Sequence, residues 1–444
     1  MSRQERKLIK MGMLYENTGI NEKGHLTFAG VDTTELAKEY GTPLYVMDEN
    51  MIRDNCRKAK NAIDSYYDGK GMCCYASKAF SSVGMCKIVS EEMLGIDVVS
   101  SGELYTALKG GFDPSRIVMH GNFKTKADIA YALESKVGRF VCDSVEELSI
   151  INDMAKGCGY TPRVLMRITP GVDAHTHDFI KTGCTDSKFG FTLEDGTALK
   201  AAGEVIRLEN VKFAGVHCHI GSQIFDIEPF LEAARLMMKL LRDIKTMYGR
   251  ELEELDIGGG FGIRYLESDD PLSYAVHLKA IALTIKELCV DYGLRQPFLM
   301  IEPGRSIVGA ACTTLYTAGT VKHIEGVKSY AAVDGGMADN PRFALYGAPY
   351  TVLNASRMND NADFTGTIAG RCCESGDIIQ ENVTIPYPKY GDIIAVLSTG
   401  AYNYSMASNY NRLARAATVM IKDGQARLFI KRESLEYITK NDLL

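Results

Sequence analysis

Between residues 70 and 305, short apolar, β-branched runs alternate with longer amphipathic ones, and this alternation constrains the fold more than any other feature of the chain. Strand candidates fall at 72–77, 96–100, 117–119, 140–142, 163–167, 213–219, 254–257 and 298–301, eight in all. Helical spacing fills gaps between them at 125–135, 145–156, 227–248 and 275–292. Strands alternating with helices imply βαβ units, right-handed crossovers and a parallel sheet. Eight such units predict a closed, TIM-like (β/α)8 barrel in preference to a doubly wound open sheet.

After Arg305 the texture changes. Runs rich in Thr, Val, Ile and Tyr at 309–321, 364–368, 392–397 and 416–421 are separated by Gly, Pro, Asn and Asp, and no long helical period appears. This predicts a mostly β domain. Further β-like pieces at 26–28 and 44–47 are expected to pair with it rather than with the barrel. A chain of 444 residues is too long for one ordinary core, so two domains are expected: a barrel over 45–306, and a β domain built from 1–44 and 307–444.

Composition narrows the function classes. The formal charge of −6 is spread without a basic stripe, which leaves nucleic acid without a footprint. Four of the first seven residues are charged and no apolar h-region follows them, so no secretory signal is expected. The longest uncharged stretches, 306–321 and 393–411, are broken by Thr, Ser, Asn and Gly and do not read as membrane spans. Twelve cysteines with no C-x-x-C spacing fit reduced thiols in a cytoplasmic protein better than a disulfide framework or a metal site.

In barrels of this kind chemistry sits at the C-terminal ends of the strands. There the unusual residues gather: Lys78, Ser101-Gly102-Glu103, His120-Gly121-Asn122, Arg167, His217 to Ser222, Gly258-Gly259-Gly260, and Glu302-Pro303-Gly304-Arg305. Singly each has a plain explanation. A strand-end lysine is commonly a solvated charge, and His217 with His219 reads as two satisfied side chains or half a metal site lacking a nearby carboxylate. Jointly they suit a phosphate-bearing aldehyde. Glycine turns at Gly221-Ser222 and Gly258 to Gly260, each expected to open a helix, would offer N–H groups to a phosphate. Lys78, as a desolvated amine, would form an imine. Pyridoxal phosphate needs such a lysine, a phosphate cradle and a partner for its ring nitrogen, and Glu302 is the expected partner.

The segments that carry a family resemblance extend from about residue 40 to 415. They include Tyr75-Ala76-Ser77-Lys78-Ala79, Asp97-Val98-Val99-Ser100, Asp173-Ala174-His175-Thr176-His177, Ser187-Lys188-Phe189-Gly190 and His217 to Gln223. The last domain adds Asp334-Gly335-Gly336-Met337, Asn340-Pro341-Arg342, Cys373-Glu374-Ser375-Gly376-Asp377 and Gly400-Ala401-Tyr402. Together they closely resemble the diaminopimelate decarboxylase family, pyridoxal-phosphate enzymes of the alanine racemase/ornithine decarboxylase fold group. Departures are local: Phe123 after Asn122, Phe80 after Lys78-Ala79, Phe343 after Arg342, and no proline in 412–416. None replaces a residue with an implied role.

The resemblance implies that Lys78 is the Schiff-base lysine, His219 stacks on the cofactor ring and Glu302 meets its nitrogen. Ser222, the backbone around Gly258, Gly259, Gly260 and Gly304, and the side chains of Arg305 and Tyr402 would hold the cofactor. Arg305, Arg342, Tyr346 and Tyr402 would hold the substrate, the first three at its distal carboxylate. Cys373, as general acid, and Glu374, at the distal ammonium, would enter from a second subunit, making the active unit a homodimer. The implied reaction converts meso-2,6-diaminopimelate to L-lysine and CO₂, with no metal. The alternative is a sister decarboxylase acting on ornithine, arginine or carboxynorspermidine. A racemase would need a second base, and a non-catalytic cofactor carrier would lack the second domain.

Overall fold

The computed structural model describes residues 14–172 and 188–443. The chain divides into two compact units. One comprises Asn55–Gly262 and Pro271–Ser306; the other takes the chain up to Asp54, Ile263–Asp270 and everything from Ile307 onward.

The first unit is the barrel. Its eight parallel strands are, in chain order, Gly71–Ala76, Gly95–Val98, Ile117–Met119, Arg139–Cys142, Arg163–Thr169, Lys212–Cys218, Glu254–Asp256 and Phe298–Ile301. Each pairs with the next, and the eighth returns to the first through Leu299 opposite Gly71, so the sheet has no open edge. Ile96, Val98, Val118, Met119, Phe140, Val141, Val164, Leu165 and Met166 are all fully buried, as expected where helices cover a parallel sheet from outside and side chains fill it from inside. Cys74, Val118, Val141, Leu165 and Met300 form the interior layer.

Caps set where three of the helices leave their strands. Ser100 and Ser144 accept from the backbone of Glu103 and Glu147, and Thr125 and Asp128 form a reciprocal capping box. After the second, third and fourth strands the turns into the helices are therefore short, and the side chains at those strand ends are held at the mouth. Gly215 has a different duty. A Cβ there would lie 2.1 Å from the Glu254 carbonyl oxygen, so only glycine lets the sixth strand approach the seventh.

At the opposite, N-terminal end lies a cavity of about 570 Å³ lined by Lys70, Arg139, Arg163, Glu253, Glu254 and Arg295. Its buried carboxylate is fully engaged: Glu254 accepts from Arg139 at 2.8 and 3.0 Å and from Arg163 at 2.8 Å. This is a structural ion network on the face away from the strand-end residues.

The second unit is mostly β. The 13-residue strand Cys312–Ile324 pairs along its length with Lys328–Val333, Ile393–Leu397 and Leu44–Asp48. Leu44–Asp48 also runs parallel to Ala417–Lys422, so this N-terminal strand is internal to the sheet. Leu26–Phe28 behaves differently. It sits in a separate three-stranded sheet, while Leu26 and Phe28 join the same core as Leu44, Val46 and Val419. The unit reaches past residue 44 to Asp54 and takes in Ile263–Asp270, whose Ile263 and Tyr265 pack with Tyr316, Tyr350 and Val396.

Candidate active site

Lys78 follows the first barrel strand in the short 3-10 turn Ser77–Ala79. Its two neighbours are buried and Lys78 itself is exposed, so the turn is anchored and its amine is presented. The anchor is Asp97, on the second strand, which accepts from the Ser77 N–H at 2.9 Å. Burial, with the Glu302 charge nearby, pushes the Asp97 carboxyl well above the carboxylate range, and the positive charge of Lys78 opposes that shift.

Glu302, directly after the eighth strand, is the electrostatic centre of the mouth. One carboxylate oxygen lies 2.8 Å from His120 Nε2 and the other 3.2 Å from His217 Nε2. Burial alone would raise this carboxyl; the two imidazoles outweigh it and hold Glu302 ionised, well below its ordinary range. Asp256, on the seventh strand, goes the other way: burial and then the Glu302 charge push it well up. His120, His217 and Glu302 offer ligand atoms within 4.8 Å of one another, a spacing that would also suit a cation. Sequence reasoning saw no carboxylate near His217, because the barrel brings Glu302 to it from 85 residues away.

His217 and His219 have separate partners. Burial lowers the His217 imidazole to about 4, so it is neutral, whereas His219 Nδ1 accepts from the Gly259 N–H at 3.2 Å. Burial and then the charges of Lys78 and Arg167 also push His219 well down. Arg167 itself is buried over the Phe189 ring, 4.0 Å from its centroid.

The glycine-rich segments come together, but not as expected. The helices that follow Gly221-Ser222 and Gly258 to Gly260 begin only at Glu228 and Tyr274, so neither turn opens a helix. Ile224 and Phe261 join the two segments in a parallel bridge, with the Ile224 N–H donating to Gly260 O at 2.9 Å, and the backbone is left-handed at Gln223, Gly258 and Gly260. Close approach explains the glycines: a Cβ on Gly258 would meet Cys218 O at 2.5 Å, on Gly259 the Glu302 O at 2.1 Å, and on Gly260 the Gly221 O at 2.6 Å. A Cβ on Gly304 would meet that of Ala76 at 2.8 Å, which draws the Glu302 segment against the turn bearing Lys78. Beside this bare backbone, buried Arg305 donates to Ser222 Oγ at 2.8 and 3.2 Å.

In the β unit, Arg342 is buried at the start of helix Arg342–Tyr346. It donates to the Tyr350 hydroxyl at 2.8 Å and lies 4.9 Å from the Tyr265 ring centroid and 5.4 Å from that of Tyr350. No carboxylate pairs with it among the described residues. Burial disfavours its charge, but the tyrosine oxygens of Tyr265, Tyr350 and Tyr402 outweigh that and raise its pKa. Tyr346 is half-buried on the same helix, and Tyr402 takes a left-handed backbone conformation at φ 62°. Cys373 and Glu374 are exposed in a turn pinned by buried Asp377, which accepts from Met337 N–H and Cys372 N–H, each at 2.6 Å. Burial pushes the Cys372 thiol up to about 11, marking Cys373 as the accessible one of the pair. The Asp173-Ala174-His175-Thr176-His177 segment and Ser187 lie outside the described residues.

The model of the pyridoxal-dependent decarboxylase family, pyridoxal binding domain, matches residues 49–309. The chain is 49% identical over 423 residues to the diaminopimelate decarboxylase of Bacillus subtilis (strain 168), covering 95% of this chain and 96% of that one. The chain belongs to the diaminopimelate decarboxylase family. Two solved structures of the family, each described as a complex with L-lysine, superpose on it. That of M. jannaschii has a TM-score of 0.90 at 34% identity, covering 97% of this chain and 98% of that one. That of Helicobacter pylori has a TM-score of 0.83 at 30% identity, covering 92% and 98%. Members of this family are pyridoxal-phosphate enzymes, and the mouth fits the cofactor: a presented lysine, an ionised buried carboxylate, and a glycine-lined segment next to an arginine-held serine. Missed in the sequence were the roles of Asp97, His120, His217, Asp256, Tyr265 and Tyr350. Strand-end position was a signal for the first four; nothing local marked the tyrosines.

Proposed function

We propose that the chain releases one α-carboxylate of meso-2,6-diaminopimelate as CO₂ and replaces it with a proton, giving L-lysine. The observation that carries this reading is the near-full-length identity to the Bacillus subtilis enzyme, supported by the L-lysine complexes of two structural relatives. Arg342 agrees with it, since a buried cation whose described partners are tyrosines suits an anionic group of a ligand. Purified protein loaded with pyridoxal phosphate is expected to release CO₂ from meso-diaminopimelate, with L-lysine formed in equal amount. Release from ornithine or arginine instead would overturn the substrate.

Pyridoxal phosphate, when bound, supplies the sink for the electron pair left by the departing carboxylate. In this reading Lys78 would hold the cofactor covalently through its amine. Glu302, being ionised, would partner the ring nitrogen and favour a proton there. His219 would hold the ring as a neutral imidazole. Ser222 with Arg305, and the backbone at Gly258, Gly259, Gly260 and Gly304, take the phosphate together with Tyr402. Arg342, Arg305 and Tyr346 orient the distal carboxylate, and Glu374 takes the distal ammonium. Cys373 delivers the proton to the α-carbon, a task for which an accessible thiol is suited near neutral pH.

Cys373 and Glu374 act, in this proposal, from a second copy in a cytoplasmic homodimer. Among the described residues no helix is long and apolar enough to cross a membrane. Shared sites have a direct test. Mixing inactive Lys78→Ala and Cys373→Ala proteins is expected to restore roughly a quarter of wild-type activity, because random exchange makes half the dimers mixed and each has one intact site. No recovery after verified subunit exchange would place Cys373 in its own subunit's site or outside the chemistry.

A further inference from the structure

Glu302 has an imidazole at each oxygen: His217 Nε2 hydrogen-bonds one at 3.2 Å, and His120 Nε2 lies 2.8 Å from the other in charge-pair contact, without the alignment of a hydrogen bond. His120 comes from the turn after the third strand, His217 from the sixth and Glu302 from the end of the eighth, so the three meet only because the barrel closes. All three are buried, at 6%, 1% and 7% exposure, and the two imidazoles also touch edge to face with centroids 5.0 Å apart. An ionised carboxylate only accepts hydrogen bonds, so His217 must carry its proton on Nε2, toward Glu302. Its Nδ1 is then a buried acceptor with no partner among the described residues. A buried unpaired polar atom costs about 1–3 kcal/mol, and an apolar residue at 217 would avoid it. In a native structure such an atom calls for an explanation.

The surroundings sharpen the point. Three carboxyls, Asp97, Asp256 and Glu302, are buried within electrostatic reach of one another, and they cannot all ionise. The imidazoles touch Glu302 alone, so they select which of the three holds the negative charge. Each carboxylate oxygen has two lone pairs, and one imidazole per oxygen leaves room for a further donor.

We propose that His120 and His217 are positioning residues that localise the negative charge of the carboxyl cluster on Glu302 and fix the direction of its oxygens, so that the bound cofactor's ring nitrogen keeps its proton. This rests on the assignment of Glu302 to the ring nitrogen.

The test reads the ring nitrogen directly. Protein loaded with pyridoxal phosphate labelled with nitrogen-15 in the ring is followed by NMR from pH 6.5 to 9. The wild type is expected to show a protonated nitrogen throughout. His120→Leu/His217→Leu, which removes both imidazoles at similar bulk, is expected to show an unprotonated nitrogen, with kcat lowered about 10–100-fold, the scale of lost supporting hydrogen bonds at cofactor-type sites, and KM within about twofold. His120→Gln/His217→Gln keeps an N–H at each position and is expected to restore the protonated signal. If the double leucine protein does not fold, His217→Ala serves, since it removes one donor without adding bulk. A folded, loaded leucine or alanine variant that keeps the protonated nitrogen overturns the proposal. An unprotonated nitrogen in the wild type instead overturns the Glu302 assignment beneath it.

Discussion

Lys78→Ala is expected to lower kcat by roughly 10³-fold or more, the scale on which enzymes lose activity when a covalent group is removed. It should also abolish the cofactor adduct trapped by borohydride, read as a mass increment on the peptide containing residue 78. The fold should survive. Lys78 is the exposed residue of its turn, while Ser77 and Ala79 on either side are buried and Asp97 holds the Ser77 N–H independently. Two electrostatic consequences separate loss of the amine from loss of charge. The Lys78 charge now opposes the upward shift of Asp97 and adds to the downward shift of His219, so removing it should raise both groups' pKa values. Lys78→Arg would keep the charge near those neighbours yet supply no amine that can form an imine. Both variants should therefore lose the adduct, and only the alanine variant should show the shifted histidine in an NMR titration. An adduct persisting in Lys78→Ala would move the covalent role to another lysine.

The barrel was legible because its strands are short apolar runs buried on both sides, and because Ser100, Thr125 and Ser144 announce the helices between them. The β unit was less so. Lys328–Val333, Ile378–Ile385 and Gln425–Ile430 carry Lys, Ser, Gln, Glu, Asn and Arg on partly exposed faces, so their burial pattern never gathers into an apolar run. Strand-end position pointed to Lys78 and Glu302 before any contact was known. It did not reveal that His120 and His217 meet Glu302, since that depends on which strands face one another across a closed barrel. The Gly258 to Gly260 run shows the opposite failure. Its composition fits a helix-opening turn, but no helix follows until Tyr274, and the glycines answer to left-handed backbone at Gly258 and Gly260 and to close packing instead. The tyrosines around Arg342 could not be read locally, because Tyr265 arrives from a short excursion at Ile263–Asp270 that joins the β unit.

Arg342→Met is expected to cost far more activity than stability. The guanidinium is buried, and among the described residues no carboxylate neutralises it; its contacts are the Tyr350 hydroxyl and two aromatic faces. Met does not recover the tyrosine stabilisation of the charge, a loss of about 1.5–3 kcal/mol on the scale of a charged hydrogen bond. The change does not strand Tyr350, whose hydroxyl also accepts from Asn403 Nδ2 at 3.2 Å. The melting temperature should therefore fall, but only by a few degrees. If Arg342 binds the distal carboxylate, kcat/KM for meso-diaminopimelate should fall roughly 10³-fold, because a charge-assisted pair is lost and the substrate's anion is left facing an apolar site. Cofactor content should not change, since the groups assigned to the cofactor in the barrel are untouched. Arg342→Lys should recover only part of the loss: a point charge cannot stack on Tyr265 or offer the guanidinium's paired donors. Steady-state kinetics beside a thermal melt decides between the roles. A lowered melting temperature with kcat/KM unchanged would make Arg342 a structural member of the tyrosine cluster, and the distal-carboxylate assignment would fail.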